Sequence, residues 1–486
     1  MNTEVRNLEP KSLWNHFADL NAVPRPSKKE ERVIEFAKNF GESLGLPTVV
    51  DEVGNVIIKK PATPGMEDRA TVVMQSHLDM VHQKNNDTAF DFNTQGIDMV
   101  VKEDWVKANG TTLGADNGIG VAAIMAVFSS KDIAHPTLEA LFTIDEETGM
   151  TGAMGLKGGF LDAEIMLNLD TEDDDDITIG CAGGVDVTTT GTYSSQDVPS
   201  NYSCFTLTVN GLQGGHSGME IHKGLGNANK LMNRILWNLN NTSSIILNKI
   251  DGGGLRNAIP RESNAVLAIA NKDLAVANET LAKLSKDLKA EHSVTDTNLN
   301  IALKEASSFS VGLANTFQTQ LLNSIYSCPV GVYRMSSEIQ GLVQTSNNLA
   351  RVLVEDGNYT IMCLTRGSVD SEKMDLANAL QSSFSPLNGN TKYSGTYPGW
   401  EPKPTSPIIS LMTDLYKEMF NEEANVNACH AGLECGILGT NYPEMQMISF
   451  GPNIRGAHSP DEKVQISSVQ KFWGYLLETL KRIPKK

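Results

Sequence analysis

The stretch LEALFTIDEETG, residues 138–149, joins an almost unbroken apolar run to three consecutive carboxylates. A short run without polar alternation is what a strand buried on both faces looks like, and such strands belong to α/β sheets. Successive side chains at a rigid strand end point in different directions, so Glu146 and Glu147 could take separate tasks there. In a solvated acidic turn they would have none. The rest of the chain decides between these readings.

Three further runs, TVVMQSH (71–77), GIGVAAIMAVF (118–128) and AEIMLNLD (163–170), alternate with helical stretches. The series predicts an α/β fold with a mixed, mainly parallel sheet. Its second member reads both as a strand candidate and, within TLGADNGIGVAAIMAV, as a helix that Asp116 precedes. PSKKEERVIEFAKNFGESLG (26–45) predicts an amphipathic helix opened by a capping box, Ser27 with Glu30. Beyond Ile179 the texture becomes Thr-rich and alternating, as in GGVDVTTTGTYSS and YSCFTLTVNGL, followed by the helix candidate LGNANKLMNRILWNL. That change predicts an inserted α+β lid domain, residues 185–395, between a first catalytic part (1–184) and a second (396–486). The Pro/Gly-rich stretch YSGTYPGWEPKPTSP marks the return, and MQMISFGP and SSVQKFWGYLLETLKRI supply a last strand and helix.

At 486 residues the chain exceeds the roughly 250 to 300 at which one core stops growing, in keeping with two domains. A formal net charge of -18 without a basic stripe excludes nucleic acid and anionic membranes as partners. The six cysteines form no C-x-x-C pair, which fits a reduced compartment. The amino terminus has charges where a signal peptide needs an apolar core, and no stretch approaches the roughly 18 apolar residues of a span. A cytoplasmic location is expected.

His77 closes the first run, Glu146 and Glu147 follow LEALFTI, and Asp170 ends AEIMLNLD. Open α/β sheets bind ligands outside the carboxyl ends of their strands, so these side chains would meet on one rim. Asp79, two residues past His77, can accept a hydrogen bond from the imidazole nitrogen that faces away from a metal. Asp116 stands where a helix cap stands, and capping does not exclude metal binding. His458 lies in the loop of SFGPNIRGAHSPDE, directly after a strand candidate. Two imidazoles and three carboxylates are one ligand more than a tetrahedral zinc uses, and they suit two divalent ions sharing a carboxylate. Glu146 is left over, as a general base should be.

SHLDM, GADNG, DEETG, NLDTE and AHSPDE, in that order and with GGHSG between them, resemble the co-catalytic zinc peptidases that include aminoacylase, glutamate carboxypeptidase, tripeptidase and carnosinase. GTTLGADNGIG, GCAGGVD, GGHSGMEIHKGLGNANKL, LRNAIPRE, YPGWEP and HAGLECG resemble that family's bacterial Xaa-His dipeptidase branch, from about Leu8 to Pro484. The resemblance implies two metal ions, zinc first with cobalt or manganese tolerated. Asp116 would bridge them, His77 and Asp170 would complete one, and Glu147 and His458 the other. It further implies that Asp79 orients His77, that Glu146 activates water, and that His216 of GGHSG steadies the oxyanion. Asn257 and Arg366 would contact the terminal carboxylate, for which the two-pronged guanidinium is suited. The implied activity is hydrolysis of unblocked dipeptides, Xaa-His foremost, by a homodimer. An aminoacylase or deacetylase on the same metals is the alternative.

Other features carry less. TEDDDD (171–176) reads as a solvated loop. His82, His135, His222 and His430 lack a ligand motif, and GGGLRN lacks the Lys-Ser/Thr of a phosphate loop. Glu434 of HAGLECG stays open between a substrate amine and a loop salt bridge.

Overall fold

The structure is a computed structural model describing residues 2–486. It divides into two compact units, one formed by the chain up to Gly180 with Pro402–Ala428 and Leu433–Lys486, the other by Cys181–Glu401 with Cys429–Gly432. The sequence places the breaks at 184 and 395. The strand Gly183–Thr192 pairs along its whole length with Asn358–Gly367, and Tyr397 pairs with Gly184, which draws both junctions into the second unit. Residues 429–432 join it as well, because Ala182 N–H donates to the carbonyls of Cys429 and Ala431.

The first unit is built on an eight-stranded sheet whose order is Thr48–Val50, Val56–Lys60, Leu138–Thr143, Val72–His77, Ile165–Asn168, Gln446–Ser449, Asp176–Cys181 and Asn425–Cys429. The four strands from Leu138–Thr143 to Gln446–Ser449 are mutually parallel. Val56–Lys60 and Asp176–Cys181 flank them antiparallel. All six residues of Val72–His77 and of Leu138–Thr143 are buried, as central strands covered on both faces are.

Residues 118–128 are not a strand but lie in the helix Ala115–Ser129. The run is rich in glycine and alanine, and small side chains let a helix be buried all round. A Cβ on Gly120 would stand 2.3 Å from Ser76 Oγ, and one on Gly118 3.1 Å from the Phe17 ring. The expected capping box also gives way. The helix spans Glu31–Ser43, Glu30 accepts from Lys28 N–H at 2.8 Å, and Ser27 donates its hydroxyl to Asp79 at 2.8 Å. Ser27 is thus claimed by the site rather than by the helix.

The second unit carries an antiparallel nine-stranded sheet in which Val343–Glu355 and Asn358–Gly367 are central. Its core joins Val187, Leu267, Leu349 and Ile361 from strands to Leu236, Leu321 and Leu380 from helices. This is the α+β architecture that the Thr-rich alternation anticipates.

Candidate metal centre

The parallel strands deliver side chains to one rim. His77 is the last residue of its strand and pairs with Thr143, the last of the neighbouring strand, while Gln75 pairs with Asn168. Glu146 and Glu147 therefore follow Thr143, and Asp170 follows Asn168, on the side where His77 ends. His458 comes from the hairpin that joins Ile454–Arg455 to Lys463–Gln465.

Two clusters share Asp116. His77 Nε2 lies 3.2 Å from Asp116 Oδ1 and 3.6 Å from Asp170 Oδ1. His458 Nε2 lies 3.2 Å from Asp116 Oδ2 and 3.0 Å from Glu147 Oε2. Within each of the triplets His77–Asp116–Asp170, Asp116–Glu147–His458 and His77–Glu146–Glu147, the candidate ligand atoms lie within 4.8 Å of one another. The five expected ligands and Glu146 are all brought together.

Electrostatics of this cluster describe a place made for positive charge. Burial acts to lower the His77 pKa, yet Asp170, Asp116 and Asp79 hold it well above its usual value. Hydrogen bonds to Asp116 and Glu147 push His458 up to about 11. Burial drives Asp170 up to about 6 and Glu146 well above the carboxylate range. Glu147 Oε1 is buried without a hydrogen-bond partner. Protons held on both imidazoles and an orphaned carboxylate oxygen mark the positions that divalent cations satisfy, and mixed N/O donors suit borderline ions such as zinc.

Asp79, fully buried, organises the constellation. Its Oδ1 lies 3.3 Å from His77 Nδ1 and accepts the Glu146 N–H at 3.0 Å. Its Oδ2 accepts from the Glu147 N–H and from Ser27. Asp145, with φ of 53°, turns the chain and takes Lys28 Nζ at 2.7 Å and Thr151 Oγ1 at 2.6 Å. The three consecutive carboxylates thus point three ways.

Beneath the ligands runs a buried polar ladder that the sequence did not reveal. Glu434 Oε2 accepts from Gln75 Nε2 and Thr143 Oγ1, both at 2.6 Å. Gln75 continues to Asn168, Asn168 to Ser449, and Ser449 to Thr171. Glu434 makes no salt bridge among the described residues, its Oε1 is buried without a hydrogen-bond partner, and burial pushes its carboxyl up to about 8. The 171–176 stretch is tied down rather than free, with Arg455 on Asp173 and Lys471 on Asp174.

The second unit gathers its own polar set. His216 Nδ1 accepts from the N–H groups of Gly218 at 3.2 Å and Met219 at 3.0 Å. Burial and the Arg366 charge lower its pKa. The ring is therefore held neutral with its proton on Nε2, a donor in waiting. Arg366 is buried, donates from Nη1 to Tyr397 Oη at 3.0 Å and keeps a partnerless Nε. His430, which opens HAGLECG but lacks a ligand motif, is buried beside them with Nε2 2.7 Å from Ser346 Oγ. A Cβ on Gly218 would meet the His430 carbonyl at 2.2 Å, His216 Cε1 at 3.1 Å and Arg366 Nε at 3.2 Å. That spacing marks where the three converge and explains the glycine of GGHSG. Asn257 is exposed at the turn before Ala258–Ile259, and its carbonyl accepts the Ser217 N–H at 2.8 Å.

The chain is similar to several known proteins. The cytosol non-specific dipeptidase of Escherichia coli (strain K12) is 43% identical over 484 residues, covering 100% of both chains. The crystal structure of aminoacylhistidine dipeptidase from Vibrio alginolyticus superposes with a TM-score of 0.94 at 41% identity, covering 100% of this chain and 99% of the other. Aminopeptidase PepT from Bacillus cereus, at 14% identity and a TM-score of 0.57 over 98% of this chain and 99% of its own, shares the fold alone. Residues 73–482 match the model of peptidase family M20/M25/M40, a family of metal-dependent peptidases. That match and the near-complete coverage of the relatives together establish that the chain belongs to this peptidase family.

Proposed function

We propose that the chain is a metallodipeptidase that hydrolyses Xaa-His and related unblocked dipeptides. The observation that carries this reading is the division of the Asp116 carboxylate between two imidazole clusters with Glu146 beside them. His77 and Asp170 would hold one ion, Glu147 and His458 the other, with Asp116 between. Two such ions, zinc foremost, would polarise the scissile carbonyl and acidify the attacking water.

Everything else is done by the chain's own residues. Glu146 carries no ligand duty, so its carboxylate takes the proton from water and returns it to the departing amine nitrogen. Asp79 holds the His77 Nδ1 and, through the backbone N–H of Glu146, sets where that base stands. Of the second unit's residues, His216 would offer its Nε2 proton to the oxyanion without adding charge, and Arg366 and Asn257, whose carbonyl holds the Ser217 N–H, would contact the terminal carboxylate. The related enzymes' names, one without a side-chain preference and one specifying histidine, support a dipeptidase whose range includes Xaa-His.

The test is a panel on metal-stripped and zinc-restored protein. Ala-His should be cleaved only after restoration, and N-acetyl-histidine should not be. Preferential turnover of the acetylated compound would replace this reading with an aminoacylase. We also assign a cytosolic homodimer. The name of the Escherichia coli relative supports the location, and exposed Val332, Tyr333 and Met335 on the strand Gly331–Met335 offer a face for a second copy. Light scattering that returns a monomer mass would remove the dimer.

A further inference from the structure

We propose that Glu462 is a positioning residue for the metal centre, its carboxylate setting the Leu113–Asp116 turn so that Asp116 is presented before any metal arrives. The inference rests on the two-metal reading above.

Four consecutive backbone N–H groups converge on this one side chain. Leu113 and Gly114 donate to Oε2 at 2.7 and 2.9 Å, and Ala115 and Asp116 donate to Oε1 at 2.7 and 3.2 Å. These groups lie in the turn that leads into the helix Ala115–Ser129, ahead of a kink at Asp116 and Asn117 whose backbone is non-helical, and buried N–H groups there need an acceptor. The acceptor comes from 346 residues further along the chain. It sits four residues past His458, in the same hairpin. One carboxylate therefore joins the segment bearing Asp116 to the segment bearing His458.

Arg25 completes the arrangement from the opposite side. Its guanidinium donates to the carbonyls of Gly114 at 2.6 Å, Leu78 at 3.0 Å and Asp79 at 3.0 Å, and to Asn21 Oδ1 at 3.0 Å. Gly114 thus has its N–H held by Glu462 and its carbonyl by Arg25. Its φ of 70°, and the 2.4 Å that would separate a Cβ from Arg25 Nη2, leave no room for another residue. Both charged side chains are buried and multiply bonded, the condition under which buried charge is tolerated. Through this pair the segments after His77, around Asp116 and after His458 are held in one register.

Asp116 makes such support consequential. Its two oxygens face different imidazoles, so a rotation of its backbone would misdirect both at once. Partners that orient a ligand from behind are commonly worth about 10- to 100-fold in metal affinity. Glu462→Gln conserves shape but turns an amide NH2 toward two N–H donors.

The experiment is zinc retention by chelator competition, together with the visible spectrum of the cobalt-substituted protein, for wild type, Glu462→Gln and Glu462→Asp. Glu139→Gln serves as control, since Glu139 is equally buried and accepts the N–H groups of Asp162 and Ala163 away from the ligands. Zinc affinity should fall at least about ten-fold in Glu462→Gln and the cobalt bands should change, with the control near wild type in both. Hydrogen exchange on metal-free wild type should show the amides of residues 113–116 protected, a measurement that needs no variant to fold. Wild-type zinc retention in Glu462→Gln, an equal loss in the control, or free exchange of those amides would overturn the inference. Wild type that takes up no zinc would instead remove the two-metal reading, and this inference with it.

Discussion

At the scale of single residues, the adjacency of Glu146 and Glu147 now has a physical reason. Glu147 meets His458 and Glu146 meets His77, because Asp145 turns the chain and Asp79 binds the N–H groups of both glutamates. Glu146→Gln should lower kcat by about 10²-fold or more, while metal analysis of the purified variant returns the wild-type content. Unchanged turnover would exclude Glu146 as the base. His430 supports a prediction about pH. Burial and the Arg366 charge bring its pKa down to about 3 from 6.5, so the folded protein keeps it neutral. Between those values the unfolded chain binds a proton that the native state does not, so stability falls as pH drops through the window, by at most about 1.4 kcal/mol per unit. In metal-free protein, urea midpoints measured from pH 6.5 to 4 should decline less steeply for His430→Asn than for wild type.

At the scale of elements, the strand ends were legible, whereas the helix that separates them was legible only as one of two readings. TVVMQSH and LEALFTI could be read as strands because their apolar runs end sharply in polar ligands. GIGVAAIMAVF has equally unbroken apolarity, but a helix of glycine and alanine can be buried on every face, and periodicity alone does not separate the two cases. The turn after the strand Gly215–His216 shows how much an element can hinge on one missing Cβ. Gly218→Ala would drive a methyl group against the His430 carbonyl and displace His216 from Arg366. We expect kcat/KM on Ala-His to fall by about 10- to 100-fold, with zinc content unchanged because the candidate ligands belong to the other unit. Loss of zinc in that variant would contradict the assignment of ligands. The polar ladder from Glu434 to Thr171 was invisible beforehand, since its members come from four strands, a helix and a loop that only the sheet order brings side by side.

At the scale of the whole molecule, the five candidate ligands all lie in one of the two compact units. Zinc bound to the native state alone stabilises that state by mass action, about 2.7 kcal/mol at a hundred-fold excess over Kd. Calorimetry with and without a chelator should show a transition that moves upward with zinc and another that does not. A single transition indifferent to metal would count against the ligand set. The sequence by itself determined the family, the candidate site residues and the α/β and α+β textures, because strand ends, glycine turns and side-chain types are local and leave their mark in short strings. Tertiary structure alone decided that Ser27 serves Asp79 instead of a helix cap, that Glu462 answers four amides 346 to 349 residues away, and that His430 stands beside Arg366. Each of these depends on which distant segments pack together, and no short string records that.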